Sequence, residues 1–83
     1  MTLVKQYNSI QSRSDFLAFV RALREDLIRD PGGWENNTLD LFLKAFGDWV
    51  EDMDGFYLNR GKVVPEPEWK IVADMLMGAR VYE

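Results

Sequence analysis

The stretch Pro31-Gly32-Gly33-Trp34-Glu35-Asn36-Asn37-Thr38-Leu39 separates the two strongest helical patterns of the chain. Proline disfavours the α conformation in the residue before it, so a helix that reaches Asp30 is expected to end there. Asn37 has a side chain suited to the N-cap, and Asp40 then falls at position N3. The stretch therefore predicts a helix end, a corner and the start of a new helix.

The helix before this corner is predicted by its cap and its periodicity. Ser12 followed by Asp15 resembles a capping box, because the hydroxyl can accept from a free backbone N–H and the carboxylate faces the positive end of the helix dipole. Apolar residues then recur at helical spacing, namely Phe16, Phe19, Val20, Leu23, Leu27 and Ile28. These features predict a helix over about residues 12–30.

Two further helices are predicted after the corner. The second spans about residues 37–54 and is followed by Gly55 as its C-terminal glycine. The third spans about residues 66–79, with Pro65-Glu66-Pro67-Glu68 around its first turn. The apolar stripe of the second helix comprises Leu39, Phe42, Leu43, Phe46, Trp49, Val50 and Met53, and that of the third comprises Trp69, Val72, Ala73 and Leu76.

The sequence patterns of the remaining segments are less decisive about secondary structure. Residues 1–11 form an arm or a short edge strand, and residues 56–64 are compatible with a short β-hairpin around the Asn59-Arg60-Gly61 turn. The fold class is therefore mainly α: a compact three-helix domain with an optional hairpin between helices 2 and 3. At 83 residues, the chain is expected to form a single domain, 1–83.

Composition excludes several classes of function. The chain has no cysteine and no histidine, so it offers no thiol nucleophile, no Ser–His pairing and no ordinary zinc site. We therefore expect no enzyme activity, no metal and no cofactor. Ten basic and fourteen acidic residues give a net charge of −4, which argues against nucleic acid and anionic membranes as partners. No signal peptide or membrane span is visible, and a cytoplasmic location is expected.

Trp34, Glu35 and Asn36 are the first candidate partner-binding residues. In a structural interpretation Trp34 closes the corner of the core and its polar neighbours satisfy backbone ends. In a functional interpretation Trp34 is a partner anchor flanked by polar side chains, as at interface hot spots. Glu35 and Asn36 are the residues of this stretch for which the predicted local structure gives no role.

The second candidate surface is acidic and consists of Asp48, Glu51 and Asp52. Asp52-x-Asp54-Gly55 resembles part of a calcium loop, but aligning Gly55 with the invariant glycine puts Val50 and Gly61 at essential ligand positions, so an EF-hand is excluded. The residues form either a solvated helix face or a negative patch for a basic partner.

Together with Trp69 and the terminal Tyr82-Glu83, the Trp34-Glu35-Asn36-x-Thr38-Leu39 motif resembles a family of small uncharacterised bacterial domains. The resemblance covers nearly the whole chain and implies a bacterial cytoplasmic protein. It carries no established activity and therefore transfers no catalytic residues.

Charge, size and missing catalytic groups favour a small acidic protein-binding domain. One form of this hypothesis is an immunity or inhibitor protein that acts on a basic partner. The alternative is a structural homodimer or accessory domain, whose interface would use aromatic residues that three helices leave uncovered, such as Trp34, Phe56, Tyr57 and Tyr82.

Overall fold

The computed structural model describes residues 3–83, and this part of the chain is mainly helical, as predicted. It contains four α-helices: α1 (Leu3–Asn8), α2 (Arg13–Arg29), α3 (Leu39–Leu58) and α4 (Trp69–Val81). A 3₁₀ turn, Pro31–Gly33, follows α2. None of the described residues lies in a β-strand.

The chain divides into two compact units, the first ending at Gly47 and the second beginning at Asp48. The boundary falls within α3, so this helix supplies residues to both units. In the first unit α1 packs on α2, and the rings of Tyr7 and Phe19 lie 6.1 Å apart between centroids. In the second unit Met53 is buried, with 7% of its surface exposed. That residues 1–83 act as a single domain stays a prediction.

Helix α2 begins as the sequence predicts. The Ser12 hydroxyl accepts a hydrogen bond from the Asp15 backbone N–H at 3.1 Å. The Asp15 carboxylate in turn accepts from the Gln11 backbone N–H at 3.1 Å. The first bond is that of a capping box, whereas the second goes to the residue before the N-cap and not to the Ser12 N–H, so the arrangement is a variant of that motif.

The N-terminal segment, predicted to be an arm or a short edge strand, contains a helix. Residues 3–8 form α1, and residues 1 and 2 lie outside the described part of the chain. The Ser9 hydroxyl donates to the Lys5 carbonyl at 2.6 Å, next to the end of this short helix. A helix of six residues is too short to be stable alone, so its packing against α2 accounts for a structure that local sequence did not predict.

The N-cap of α3 is Thr38, not Asn37, so the predicted cap lies one residue too early. The Thr38 hydroxyl oxygen accepts from the Leu41 N–H at 3.2 Å, and its carbonyl accepts from the Phe42 N–H at 2.9 Å. The Asn37 side-chain amide instead donates to the Pro31 carbonyl at 3.0 Å. Both residue types are good caps, and the bond across the corner decides between them.

The predicted hairpin is wrong, because α3 continues through Gly55 to Leu58. The glycine that ends the helix is Gly61, which has a φ of 68°. Its N–H donates to the Leu58 carbonyl at 3.0 Å, and the Lys62 N–H donates to the Tyr57 carbonyl at 3.0 Å. These two bonds form a Schellman motif, which requires a left-handed residue where the sequence suggested a hairpin turn.

Ring contacts along α3 explain why its aromatic end is helical. Trp49 and Phe56 lie seven residues apart, which brings them near one another on the helix, and their centroids are 5.3 Å apart. The Arg60 guanidinium lies 3.8 Å from the centre of the Phe56 ring. The β propensity of the aromatic residues is outweighed by these contacts.

Helix α4 begins at Trp69, later than the predicted start near residue 66. The Glu68 carbonyl accepts from the N–H groups of Ile71 and Val72, at 3.0 and 3.2 Å. Pro67 disfavours the α conformation at Glu66, which explains why the prolines and glutamates precede the helix instead of forming its first turn. Across residues 3–83, no helix has the length and apolar character that crossing a bilayer requires.

Candidate protein-binding site around Trp34

Trp34 is held at the corner between α2 and α3. Its backbone N–H donates to the Pro31 carbonyl at 3.2 Å, at the end of the 3₁₀ turn. Its indole N–H donates to Asp26 Oδ2 of α2 at 2.8 Å. The other Asp26 oxygen accepts from Arg29 at 3.2 Å. The half-buried indole is therefore anchored to the last turns of α2.

A row of aromatic rings runs from Trp34 along the first part of α3. The centroids of Trp34 and Phe42 are 6.2 Å apart, and those of Phe42 and Phe46 are 6.5 Å apart. Phe42 and Phe46 stand four residues apart and so share a face of the helix. All three rings belong to the first unit.

A first cavity, of about 310 Å³, opens beside this row between α2 and α3. Its apolar lining consists of Val20, Leu23, Leu27, Trp34, Leu39 and Phe42. Its polar lining consists of Arg24, Asn36, Asn37 and Thr38. The volume is at the small end of the range for ligand sites and suits one or two apolar side chains.

A second cavity, of about 280 Å³, shares part of its lining with the first. It is lined by Trp34, Glu35, Asn36, Phe42, Ala45 and Phe46. Trp34, Asn36 and Phe42 line both cavities, so this part of the first unit presents two adjoining apolar recesses. Glu35 is the single acidic side chain in either lining.

The side chains of Glu35 and Asn36 are not tied to the rest of residues 3–83. Glu35 is exposed and Asn36 is half-buried, and neither forms a hydrogen bond or an ion pair with a described residue. Trp34, by contrast, has its ring donor satisfied by Asp26. Of the three residues predicted around the corner, the two polar ones are thus available to an external ligand.

Sequence reasoning found Trp34 but missed the other apolar members of this site, because it placed them only on the apolar stripes of their helices. Leu39 is 74% exposed and Val20 is 41% exposed, although both belong to the predicted apolar stripes. Helical periodicity shows that apolar side chains share a face, but it does not distinguish a covered face from an open one. The sequence therefore carried no signal that marked these side chains as exposed.

The acidic candidates Asp48, Glu51 and Asp52 are exposed residues of α3 in the second unit, whereas Trp34 belongs to the first. The first unit carries six acidic and six basic side chains, and the second carries eight acidic and four basic ones. The net charge of −4 therefore resides entirely in the second unit. No cluster of acidic side chains among residues 3–83 is arranged to hold a metal ion.

The fold and the site define a small helical domain with two apolar recesses at a helix corner. The chain belongs to the family of unknown function DUF7660, whose model matches residues 12–83. The resemblance to an uncharacterised domain family is thereby confirmed, and α1 precedes the matched region. No curated protein and no solved structure matches the chain.

Proposed function

We propose that this chain is a non-enzymatic protein-binding domain, and that the two cavities around Trp34 receive side chains of a partner protein. The observation that carries the proposal is the pair of adjoining cavities, lined by open apolar side chains and by a carboxylate without a partner among residues 3–83. The absence of cysteine and histidine supports a binding role over a catalytic one.

The arrangement suits binding because its central ring is fixed in advance. Trp34 is anchored by Asp26 and contacts Phe42, so little conformational entropy remains to be lost there when a partner arrives. Leu39 exposes most of its surface beside this ring, and full burial of a leucine contributes about 1.5–3 kcal/mol. An aromatic anchor within an apolar patch is the usual composition of an interface hot spot.

Affinity capture with a matched pair of variants tests the proposal. Leu39 and Leu41 are both exposed leucines in the first turn of α3, and of the two cavities described, Leu39 lines the first while Leu41 lines neither. We expect immobilised wild type and Leu41→Gln to retain the same protein from cell extract, and Leu39→Gln to lose it. Binding of that purified protein is then measured by calorimetry. Equal retention by the three forms would show that the cavities are not the contact surface.

An immunity or inhibitor protein acting on a basic partner is one form of this function. The concentration of negative charge in the second unit supports it, with Asp48, Glu51 and Asp52 as the contacting side chains. Such a charge pattern raises association rates more than affinities. We therefore expect Glu51→Lys to slow association with the captured protein, and the effect to shrink at high salt. The lack of cysteine also fits the proposed cytoplasmic location.

A homodimer is the second candidate, and the exposed apolar side chains of α4 favour it. Ile71, Met75 and Met77 are 49%, 52% and 57% exposed and are not confined to one face of the helix. A helix that is apolar on several faces is usually covered. Sedimentation equilibrium tests this: Met75→Gln should weaken self-association, whereas Val63→Gln, at an exposed apolar residue outside the helices, should not. A wild type that is monomeric at high concentration removes this candidate.

A further inference from the structure

We infer that the second cavity binds a cationic side chain, arginine or lysine, of the partner segment, while a neighbouring apolar side chain of that segment enters the first cavity. The inference deepens the proposed function and rests on it. Three of the six lining residues are the aromatic residues Trp34, Phe42 and Phe46, and one is the carboxylate Glu35.

Aromatic lining favours an organic cation over a neutral polar group. The faces of aromatic rings carry negative potential and attract ammonium and guanidinium groups, most strongly for tryptophan. Trp34 and Phe42, 6.2 Å apart, and Phe46 beyond them supply several such rings in one recess. Arginine and lysine can also lay their aliphatic stems along these rings, so that both parts of the side chain are accommodated.

Glu35 supplies the opposite charge. It is the one acidic residue lining the cavity, it is exposed, and it makes no ion pair with any residue from 3 to 83. The first unit has six acidic and six basic side chains, so its own net charge does not favour a cation. The preference for a positively charged side chain thus comes from Glu35 and the aromatic rings beside it.

Arg24 sets the direction in which the segment lies. Arg24 lines the first cavity, where its charge disfavours a second cation, while Glu35 lines the second. The apolar side chain is therefore assigned to the first cavity and the cation to the second. Asn36 lines both cavities, and its amide can donate to and accept from the segment's backbone between the two side chains.

Short peptides test the inference with the intact chain. The probes are N-acetyl-leucyl-arginine amide and its citrulline counterpart, which has nearly the same shape as arginine but no charge. Binding is followed by the indole N–H signal of Trp34 in proton–nitrogen correlation spectra, assigned as the signal missing from Trp34→Phe. We expect the arginine peptide to bind about 5-fold more tightly than the citrulline peptide, from one cation–π contact and one exposed ion pair.

Two carboxylate variants complete the experiment. Glu35→Gln should remove the preference for arginine, whereas Glu25→Gln, an exposed glutamate that lines neither cavity, should keep it. Equal binding of both peptides to wild type, or a preference that survives Glu35→Gln, would overturn the cation inference while leaving the protein-binding proposal intact. No change of the Trp34 signal with either peptide would also overturn it, and the capture experiment with Leu39→Gln judges the proposed function separately.

Discussion

Asp26 and Trp34 join the end of α2 to the corner that follows it, through an indole N–H to Oδ2 bond of 2.8 Å. The bond spans eight residues and passes over the Pro31–Gly33 turn, which breaks the helix. It therefore holds in one orientation a ring that lines both cavities. The stability of the corner and the shape of the candidate site depend on the same contact.

Asp26→Ala should destabilise the chain by about 1–2 kcal/mol, because a half-buried indole N–H loses a charged acceptor. Trp34→Phe should cost a similar amount, and the two effects should be less than additive, since each removes the same bond. Urea unfolding of both single variants and the double variant measures this. Arg29→Ala serves as the control, and its exposed ion pair with Asp26 should contribute less than about 1 kcal/mol. Fully additive losses would contradict the role given to the bond.

Two glycines should respond to alanine in opposite directions. A Cβ at Gly55 or Gly61 meets no atom within 4 Å, so only backbone conformation distinguishes them. Gly61→Ala should cost roughly 1–2 kcal/mol, because its φ of 68° is unfavourable for an L-residue. Gly55→Ala should stabilise by about 0.5–1 kcal/mol, because Gly55 lies inside α3. Thermal unfolding decides; a stabilising Gly61→Ala would contradict the Schellman motif.

Local sequence signals were sufficient to predict a helix where its capping residues and its apolar periodicity pointed to the same bounds. Ser12, Asp15 and the break at Pro31 fixed α2, because each acts through neighbours only a few residues away. They were insufficient at the ends of α3. Asn37 and Thr38 are both cap residues, and Gly55 and Gly61 can both end a helix, so the residue type alone did not decide either end. The Asn37 bond to the Pro31 carbonyl and the ring contacts around Phe56 are side-chain contacts that the sequence pattern does not display.

The candidate site could be predicted only in part, because exposure is a tertiary property. Glu35 and Asn36 stood out in the sequence as polar residues without a structural duty, and the structure leaves both without a bond among residues 3–83. Leu39 and Phe42 did not stand out, since a residue on an apolar stripe is ordinarily covered. Their place in the cavities depends on side chains from both α2 and α3, which the sequence pattern of one helix does not show.

Thr38→Ala should loosen the start of α3, whereas Asn37→Ala should not. Thr38 accepts from the Leu41 N–H, so its loss should cost about 1 kcal/mol and speed hydrogen exchange at the Leu41 amide. Asn37 donates to the Pro31 carbonyl instead, and its removal should leave that amide protected. Exchange measured residue by residue separates the two; faster exchange of Leu41 in Asn37→Ala alone would restore Asn37 as the cap.

Leu39→Glu should separate binding from stability. Leu39 is the first residue of α3 and is 74% exposed, so little burial is lost on substitution. A negative charge in the first turn of a helix is favourable by about 0.3–1 kcal/mol, which offsets that loss. The free energy of unfolding should therefore change by less than about 0.5 kcal/mol.

The same variant should fail to bind the partner, because a carboxylate then occupies the edge of the apolar first cavity. Urea unfolding and calorimetry with the captured protein give the two quantities on one sample. A variant that unfolds readily would show that Leu39 belongs to the core after all. A variant that is stable and still binds would place the contact surface elsewhere, since Leu39 carries the largest exposed fraction among the apolar side chains lining the first cavity.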